Sequence, residues 1–444
     1  MIAFQQKLCD AIESKWMMLA FMLFACASTF FSLEHYAIPI LILAMLFILI
    51  VSPNFLDILL PLLLLNTLAF HTTGQDVMLS KHVWLAFPVV AAIVLHFILH
   101  RRPLVIGKSF YPLLAVSAAL LLGGLGTVTS EEYFHFGSLY YTVFLGIGMV
   151  FFYLWMRSRI FSTDSYDAKD RFMMILLLMG IYSAFVVWEH AFRTLLVFGE
   201  MKAPMAPNDL CEVILFAIPA AFYFAVKNYK FVFLGFILYF SIVPARSLSA
   251  LFFGAFLIVC CLWYVFCYRP GRRGGTLLIA LLCVGGALVI ARYADLLTVS
   301  GFERFFLAEE NGRLRLFRNY LEYFKGSPIF GVGIGTGNND TTFMGYLWAH
   351  NYVLQILGSM GLMGALAYGY QIVVRIRLLF ARINYFRMAV GLCYLGIFSI
   401  SMLQPGEFCP MPYELLTVCL FVFLEMTETD DVPTHSLDET YFAS

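Results

Sequence analysis

"GVGIGTGNNDTTFMGYLWAHNYVLQILGSMGLMGAL", residues 331–366, begins like a phosphate loop and ends like a membrane helix. Its reading decides between a soluble nucleotide-binding domain and a polytopic membrane protein. The glycines fall at 331, 333, 335 and 337, spaced by two throughout. A dinucleotide fingerprint needs Gly-x-Gly-x-x-Gly between a strand and a helix, and a Walker loop ends in Gly-Lys-Ser/Thr. Neither pattern is present. What remains is a flexible turn after Ser327-Pro328 that lets the chain fold back over a membrane, followed by an apolar run from Tyr352.

The composition agrees. The 444 residues are 61% hydrophobic, 17% aromatic and 13% charged, against about 25% charged in a soluble domain. So apolar a chain cannot cover itself with a water-compatible surface. A hydrocarbon core of roughly 30 Å needs about 20 apolar residues per helix, and only helices or closed barrels satisfy their backbone there. The apolar runs are continuous where barrel strands would alternate. The expected fold is therefore an all-α polytopic membrane protein of about 12–14 transmembrane helices. Zero net charge argues against nucleic acid as a partner. The ten cysteines form no Cys-x-x-Cys pair and read as small residues of a membrane core.

Fourteen candidate spans emerge: 16–31, 36–51, 55–70, 83–99, 110–127, 138–156, 172–189, 210–226, 230–245, 248–267, 275–292, 352–374, 386–403 and 412–426. Residues 1–292 thus hold eleven membrane helices with short loops, 293–350 a long outer loop, 351–426 the C-terminal helices and 427–444 an acidic tail. With the N-terminus inside, most of the 28 basic residues fall in inner loops, as the positive-inside rule requires. The inner loops include Arg157, Arg159, Lys169 and Arg171, and later Arg375, Arg377, Arg382 and Arg387. Both termini are then cytoplasmic. The spans read as nearly charge-free, with Asp57 and Glu212 close to span ends.

Arginines retained on the outer face against that bias are candidates for function. In the long loop, Leu314, Phe317, Leu321 and Phe324 recur at helical spacing, with Arg315 and Arg318 on another face. Such an amphipathic helix lies on the outer leaflet with its arginines among the headgroups, where binding lipid phosphates is the plain alternative role. His350 closes the same loop, on the same side as Arg193, Arg246 and Arg313. A lone histidine at a membrane edge is ordinarily an interfacial residue. Beside several guanidiniums it is more: imidazole can act as a general base near neutrality, and arginines clamp a diphosphate bidentately.

Four segments in order carry a resemblance. "APMAPNDLCEVILFAIP" (203–219), "PARSLSALFFG" (244–254), "GRLRLFRNYLEYFKGSPIFGVGIGTG" (312–337) and "HNYVLQILGSMGLMGAL" (350–366) resemble the signature of the bacterial O-antigen ligase and O-antigen polymerase superfamily. Ala245 stands where serine is more usual. The earlier spans match only in character.

The resemblance implies a multi-helical enzyme of the bacterial inner membrane. It would be a glycosyltransferase that uses a polyprenyl diphosphate-linked glycan as donor, without metal or other cofactor. Carried over by position, His350 is the catalytic base or orients the acceptor hydroxyl, and Arg246 and Arg313 bind the donor diphosphate. Arg315, Arg318 and Arg193 are further donor candidates that the motif does not fix. Asn351 and Asn208 read as structural, at a loop end and a helix start. The site faces the periplasm. The expected reaction is O-antigen ligation to lipid A-core. The alternatives are polymerisation onto a second lipid-linked glycan and, outside enzymes, a transporter. A transporter is disfavoured by the lack of mid-membrane charges and internal repeats.

Overall fold

The computed structural model describes residues 2–73, 86–129, 136–163, 167–204, 207–269, 271, 273–293, 313–334, 348–404 and 406–428. Among them the fold is helical throughout, without a β-strand. The helices are α1 (Ile2–Glu13), α2 (Lys15–Phe30), α3 (Glu34–Val51), α4 (Leu56–Thr73), α5 (Ala86–Leu99), α6 (Phe110–Thr129) and α7 (Phe136–Val143). A π turn, Phe144–Gly148, leads into α8 (Met149–Arg159). Then come α9 (Ala168–Phe198), α10 (Pro207–Lys227), α11 (Phe231–Phe240), α12 (Ile242–Ala245), α13 (Leu248–Tyr268) and α14 (Arg273–Tyr293). The last four are α15 (Arg313–Gly326), α16 (Tyr352–Phe380), α17 (Tyr385–Ser401) and α18 (Leu415–Met426).

Each expected span falls on a helix or on two joined ones, and the amphipathic stretch is α15. Among the described residues, six helices are long and apolar enough to cross a membrane, or seven if the bent pair at the N-terminus is one span. Six more apolar helices have 10–17 residues. Length and composition thus support a polytopic membrane protein with fewer full-length spans than the 12–14 expected.

Helix α10 is the centre. Apart from Glu212, its sequence from Leu210 to Ala225 is apolar on every side, which is how a helix enclosed by others reads. Every residue from Leu210 to Ala225 is buried, against α9, α11, α13 and α17. Close approach to α9 comes from small residues: a Cβ on Gly180 would meet the Ala217 Cβ at 2.0 Å. Small residues at a helix crossing let backbones approach and gain dispersion contact where lipid offers no hydrophobic drive.

The arginines read as inner-loop charges have buried partners that the sequence does not show. Arg171 is buried and pairs with Asp57 at 2.5 Å. Arg159 is buried, donates to the His100 carbonyl at 2.9 Å and lies 4.0 Å over the Phe97 ring. Arg387 is buried and donates to the carbonyls of Leu424 and Leu378. Arg375 is buried too, 2.6 Å from Glu407 and 3.5 Å from Glu414. A charge leaves water only when paired or hydrogen-bonded, so these arginines are interior struts. Counting basic residues along a chain cannot see their partners.

The expected continuous span 352–374 is corrected. Gly361 has φ 60°, ψ −152° and breaks α16. The rings of Tyr352 and Tyr368 lie 5.8 Å apart; sixteen residues of straight helix would separate them by about 24 Å. The short arm 352–360 therefore folds back toward the long arm 362–380. Breaking a helix frees backbone donors and acceptors that must find partners. The turn after Ser327-Pro328 supplies them. Val332 and Gly333 donate to the carbonyls of Gly358 and Ser359 at 3.0 and 2.9 Å, while Leu362 and Met363 donate to those of Pro328 and Ile329 at 2.9 and 3.1 Å. Where a flexible turn was expected, 327–334 is a clamp bonded into the break. Gly335 and Gly337 lie outside the described residues.

Candidate functional site

Three described non-glycine residues have left-handed backbone: Ser32 (φ 55°), Arg246 (φ 56°) and His350 (φ 51°). For an L-residue this conformation costs roughly 1–2 kcal/mol, and such strain collects where a side chain must be aimed. Two of the three are site residues read from the sequence. The third, Ser32, accepts a hydrogen bond from another, Arg193.

Arg246 ends α12, where the chain must turn sharply before α13. Its Nη2 donates to the Met201 carbonyl at 2.8 Å, and the side chain is exposed. Next to it, the Ser247 hydroxyl donates to Asn208 Oδ1 at 2.7 Å. Asn208 thus ties the start of α10 to the start of α13. One residue on, the Asp209 carbonyl accepts from the Tyr413 hydroxyl at 2.6 Å.

His350 stands just before α16, which Asn351 caps by accepting from the Leu354 amide at 3.0 Å. Asn351 Nδ2 also donates to the Met402 carbonyl at 3.4 Å, so it does more than cap a helix. His350 Nδ1 is 3.1 Å from Gln404 Oε1. Residues 402–414, between α17 and α18, therefore reach both halves of the site. Their one end holds His350 and Asn351; the other, through Tyr413, holds the Asp209–Asn208–Ser247–Arg246 corner. Glu407 turns inward from this segment to Arg375, and the Phe408 ring lies 5.2 Å from that of Tyr352 and 5.7 Å from that of Tyr368.

The other arginines divide. Arg193 is engaged with Glu189 at 2.5 Å, the Ser32 hydroxyl at 2.9 Å and the Phe30 carbonyl at 3.0 Å, which ties α9 to the end of α2. Its fork is a strut between helices. Arg315 and Arg318 are exposed on α15. Arg313 begins α15, and its side chain lies outside the described residues. The helix docks through Tyr320, which is 2% exposed and packs on Gly358. Leu314 and Leu321 of the expected apolar stripe are 46% and 42% exposed. The printed partners of the Arg193 guanidinium are Glu189, Ser32 and Phe30, so it is held away from a donor role by its own helix and the end of α2.

Sequence reasoning missed two residues here and the full burial of a third. Gln404 falls in the break between the expected spans 386–403 and 412–426 and Tyr413 at the start of the second, and their only signal was a Gln-Pro-Gly interruption of an apolar run. Glu212 is fully buried in α10, and neither of its side-chain oxygens has a hydrogen-bond partner. An unpartnered buried polar group calls for a reason of its own. Among the described residues, no three His, Cys, Asp or Glu side chains gather as metal ligands.

Residues 214–369 match the family model of the O-antigen ligases. The match takes in Arg246, the 312–337 segment and His350, and it supports the O-antigen ligase superfamily for this chain. No curated protein and no solved structure matches. The family supports an O-antigen ligase-type function, with glycosyltransferase-like activity on lipid-linked glycans.

Proposed function

We propose that this protein transfers a glycan from a polyprenyl diphosphate carrier to an acceptor hydroxyl at the periplasmic face of a bacterial inner membrane, with lipid A-core as acceptor. Both ends of the described chain then lie in the cytoplasm. The observation that supports the reading is the pair of strained residues, Arg246 and His350, each with a hydrogen-bonded tie to the 402–413 region: His350 to Gln404, and the Ser247–Asn208 corner beside Arg246 through the Asp209 carbonyl to Tyr413. A cationic fork and an imidazole are what a displacement at a diphosphate-linked sugar needs.

The reaction is a single displacement. The acceptor oxygen attacks the anomeric carbon, and the bond from that carbon to the diphosphate oxygen breaks. The acceptor's proton passes to His350. The diphosphate departs with the bonding electrons, and Arg246 and Arg313 meet its charge, with Arg315 and Arg318 as further contacts. Preorganised cations stabilise charge as it develops without reorganising, so the proposal assigns no metal. Arg193 is the weakest donor candidate, because Glu189, Ser32 and Phe30 already take up its guanidinium.

The buried ionisable groups remove one argument against a transporter; the family match takes its place. A deletion strain tests the proposal. Long chains kept on the carrier lipid but lost from lipid A-core indicate ligation, whereas single repeats attached to core indicate a polymerase. His350→Ala restored to the deletion strain abolishes transfer while the protein still inserts, a loss of about 10²- to 10⁴-fold for a general base. Arg313→Lys is severely impaired, since an ammonium cannot reproduce the planar fork. Full complementation by both variants refutes the assignment.

A further inference from the structure

His350 Nδ1 faces Gln404 Oε1 at 3.1 Å. A carbonyl oxygen can only accept, so the proton of this hydrogen bond belongs to the ring nitrogen. In a neutral imidazole, a proton on Nδ1 leaves the basic lone pair on Nε2. The choice of tautomer is thus made by a residue 54 positions along the chain and outside the 214–369 family match.

Gln404 is built to make that choice. It is 3% exposed, and both flanks are held. Before it, Leu403 donates to the Ile400 carbonyl at 2.8 Å, and the Met402 carbonyl receives Asn351 Nδ2 at 3.4 Å. After it, the Glu407 carboxylate meets Arg375 at 2.6 Å, and the Glu407 amide donates to the Ser401 hydroxyl at 3.3 Å. The imidazole is fixed from its own side by left-handed backbone at 350 and by the Asn351 cap. A site held from both sides keeps its geometry without being ordered by the substrate.

We propose that Gln404 is the positioning residue that holds His350 as its Nδ1–H tautomer and so assigns proton uptake to Nε2. The inference deepens the transfer reading and rests on it for its catalytic meaning. The tautomer itself can be observed without turnover.

The test uses the full chain in lipid nanodiscs with ¹⁵N-labelled histidine, the His350 signals being identified by their absence in His350→Gln. Wild type shows pyrrole-type Nδ1 and pyridine-type Nε2 at neutral, unprotonated His350. Gln404→Glu keeps this pattern, because a carboxylate oxygen accepts the same hydrogen bond. Gln404→Leu loses it. Transfer by Gln404→Leu falls about 10- to 100-fold, the scale for removing a group that orients a ring nitrogen, and Gln404→Glu recovers most of it. The inference is overturned if wild-type Nδ1 is pyridine-type, the result of an amide turned over to donate. It is equally overturned if a folded Gln404→Leu keeps the wild-type tautomer. Should Gln404→Leu fail to fold, the wild-type and Gln404→Glu spectra still decide. Absence of any transfer by wild type refutes the functional reading and leaves the tautomer result standing on its own.

Discussion

Two glycines in one helix should respond to alanine with opposite signs. Gly361 sits at φ 60°, ψ −152°, a region essentially reserved for glycine, where another residue pays about 1–3 kcal/mol. A Cβ there would also meet the Ile329 carbonyl carbon and oxygen at 2.5 Å each and the Pro328 oxygen at 2.7 Å. Those carbonyls accept from Met363 and Leu362, so they cannot move aside without opening the clamp. Overpacking of this kind adds about 1–3 kcal/mol. Stiffening the unfolded chain returns about 0.4–1 kcal/mol, leaving Gly361→Ala destabilised by roughly 1–5 kcal/mol. Gly369 lies eight residues on in the same helix, and a Cβ there meets nothing within 4 Å. Gly369→Ala therefore gains about 0.4–1 kcal/mol. Thermal unfolding of both variants in one detergent, followed by tryptophan fluorescence, gives the comparison. Gly361→Ala should also lose transfer, because the short arm it bends carries His350 at its free end. Equal stability of Gly361→Ala and wild type, or shifts of the same sign in both variants, would refute the reading of α16 as a helix broken on purpose and clamped by 328–333.

Arg375→Met leaves Glu407 and Glu414 buried without their guanidinium and should cost about 3–5 kcal/mol; unchanged melting would show that the pair is not an interior strut. Arg246→Gly should melt higher than Arg246→Ala, since relief of about 1–2 kcal/mol of left-handed strain exceeds glycine's entropic cost of about 0.5–1. Both variants should bind a lipid diphosphate more weakly than wild type, and a reversed order of melting removes the strain argument. Tyr413→Phe deletes the hydrogen bond to the Asp209 carbonyl and should cost about 1 kcal/mol, read by the same thermal assay.

The helices were legible because each apolar run carries its own length. Run length decides whether a segment can cross a bilayer, and that information is local. What joins the helices is not local. Asp57 and Arg171 are more than a hundred residues apart, and Arg375 finds Glu407 across 32 residues and a turn of chain. Read alone, each arginine looks like an inner-loop charge and each acid like a span end. The break at Gly361 was equally hidden: "GSMGLMGAL" reads as a small-residue helix, and only the backbone bonds from 328–333 reveal that it does not continue.

The site was half legible for the same reason. His350 and Arg246 stood out by residue type and by short motifs, which encode local features such as the Asn351 cap and the turn into α13. Their left-handed backbones carry no signature, because neither histidine nor arginine is the residue such a turn would select. The strain is tolerable only where distant contacts over-determine the conformation. For His350 and its neighbour those contacts come from Gln404 and Met402, at the edge of an expected span, and for Arg246 from the Met201 carbonyl. One segment, 402–414, fixes a histidine at one end and a tyrosine-bonded helix start at the other, with a buried ion pair between. It therefore couples the spacing of the two halves of the site to a single anchor, Arg375. Loosening that anchor should move the His350 corner and the Arg246 corner together, a coupling that neither motif contains by itself.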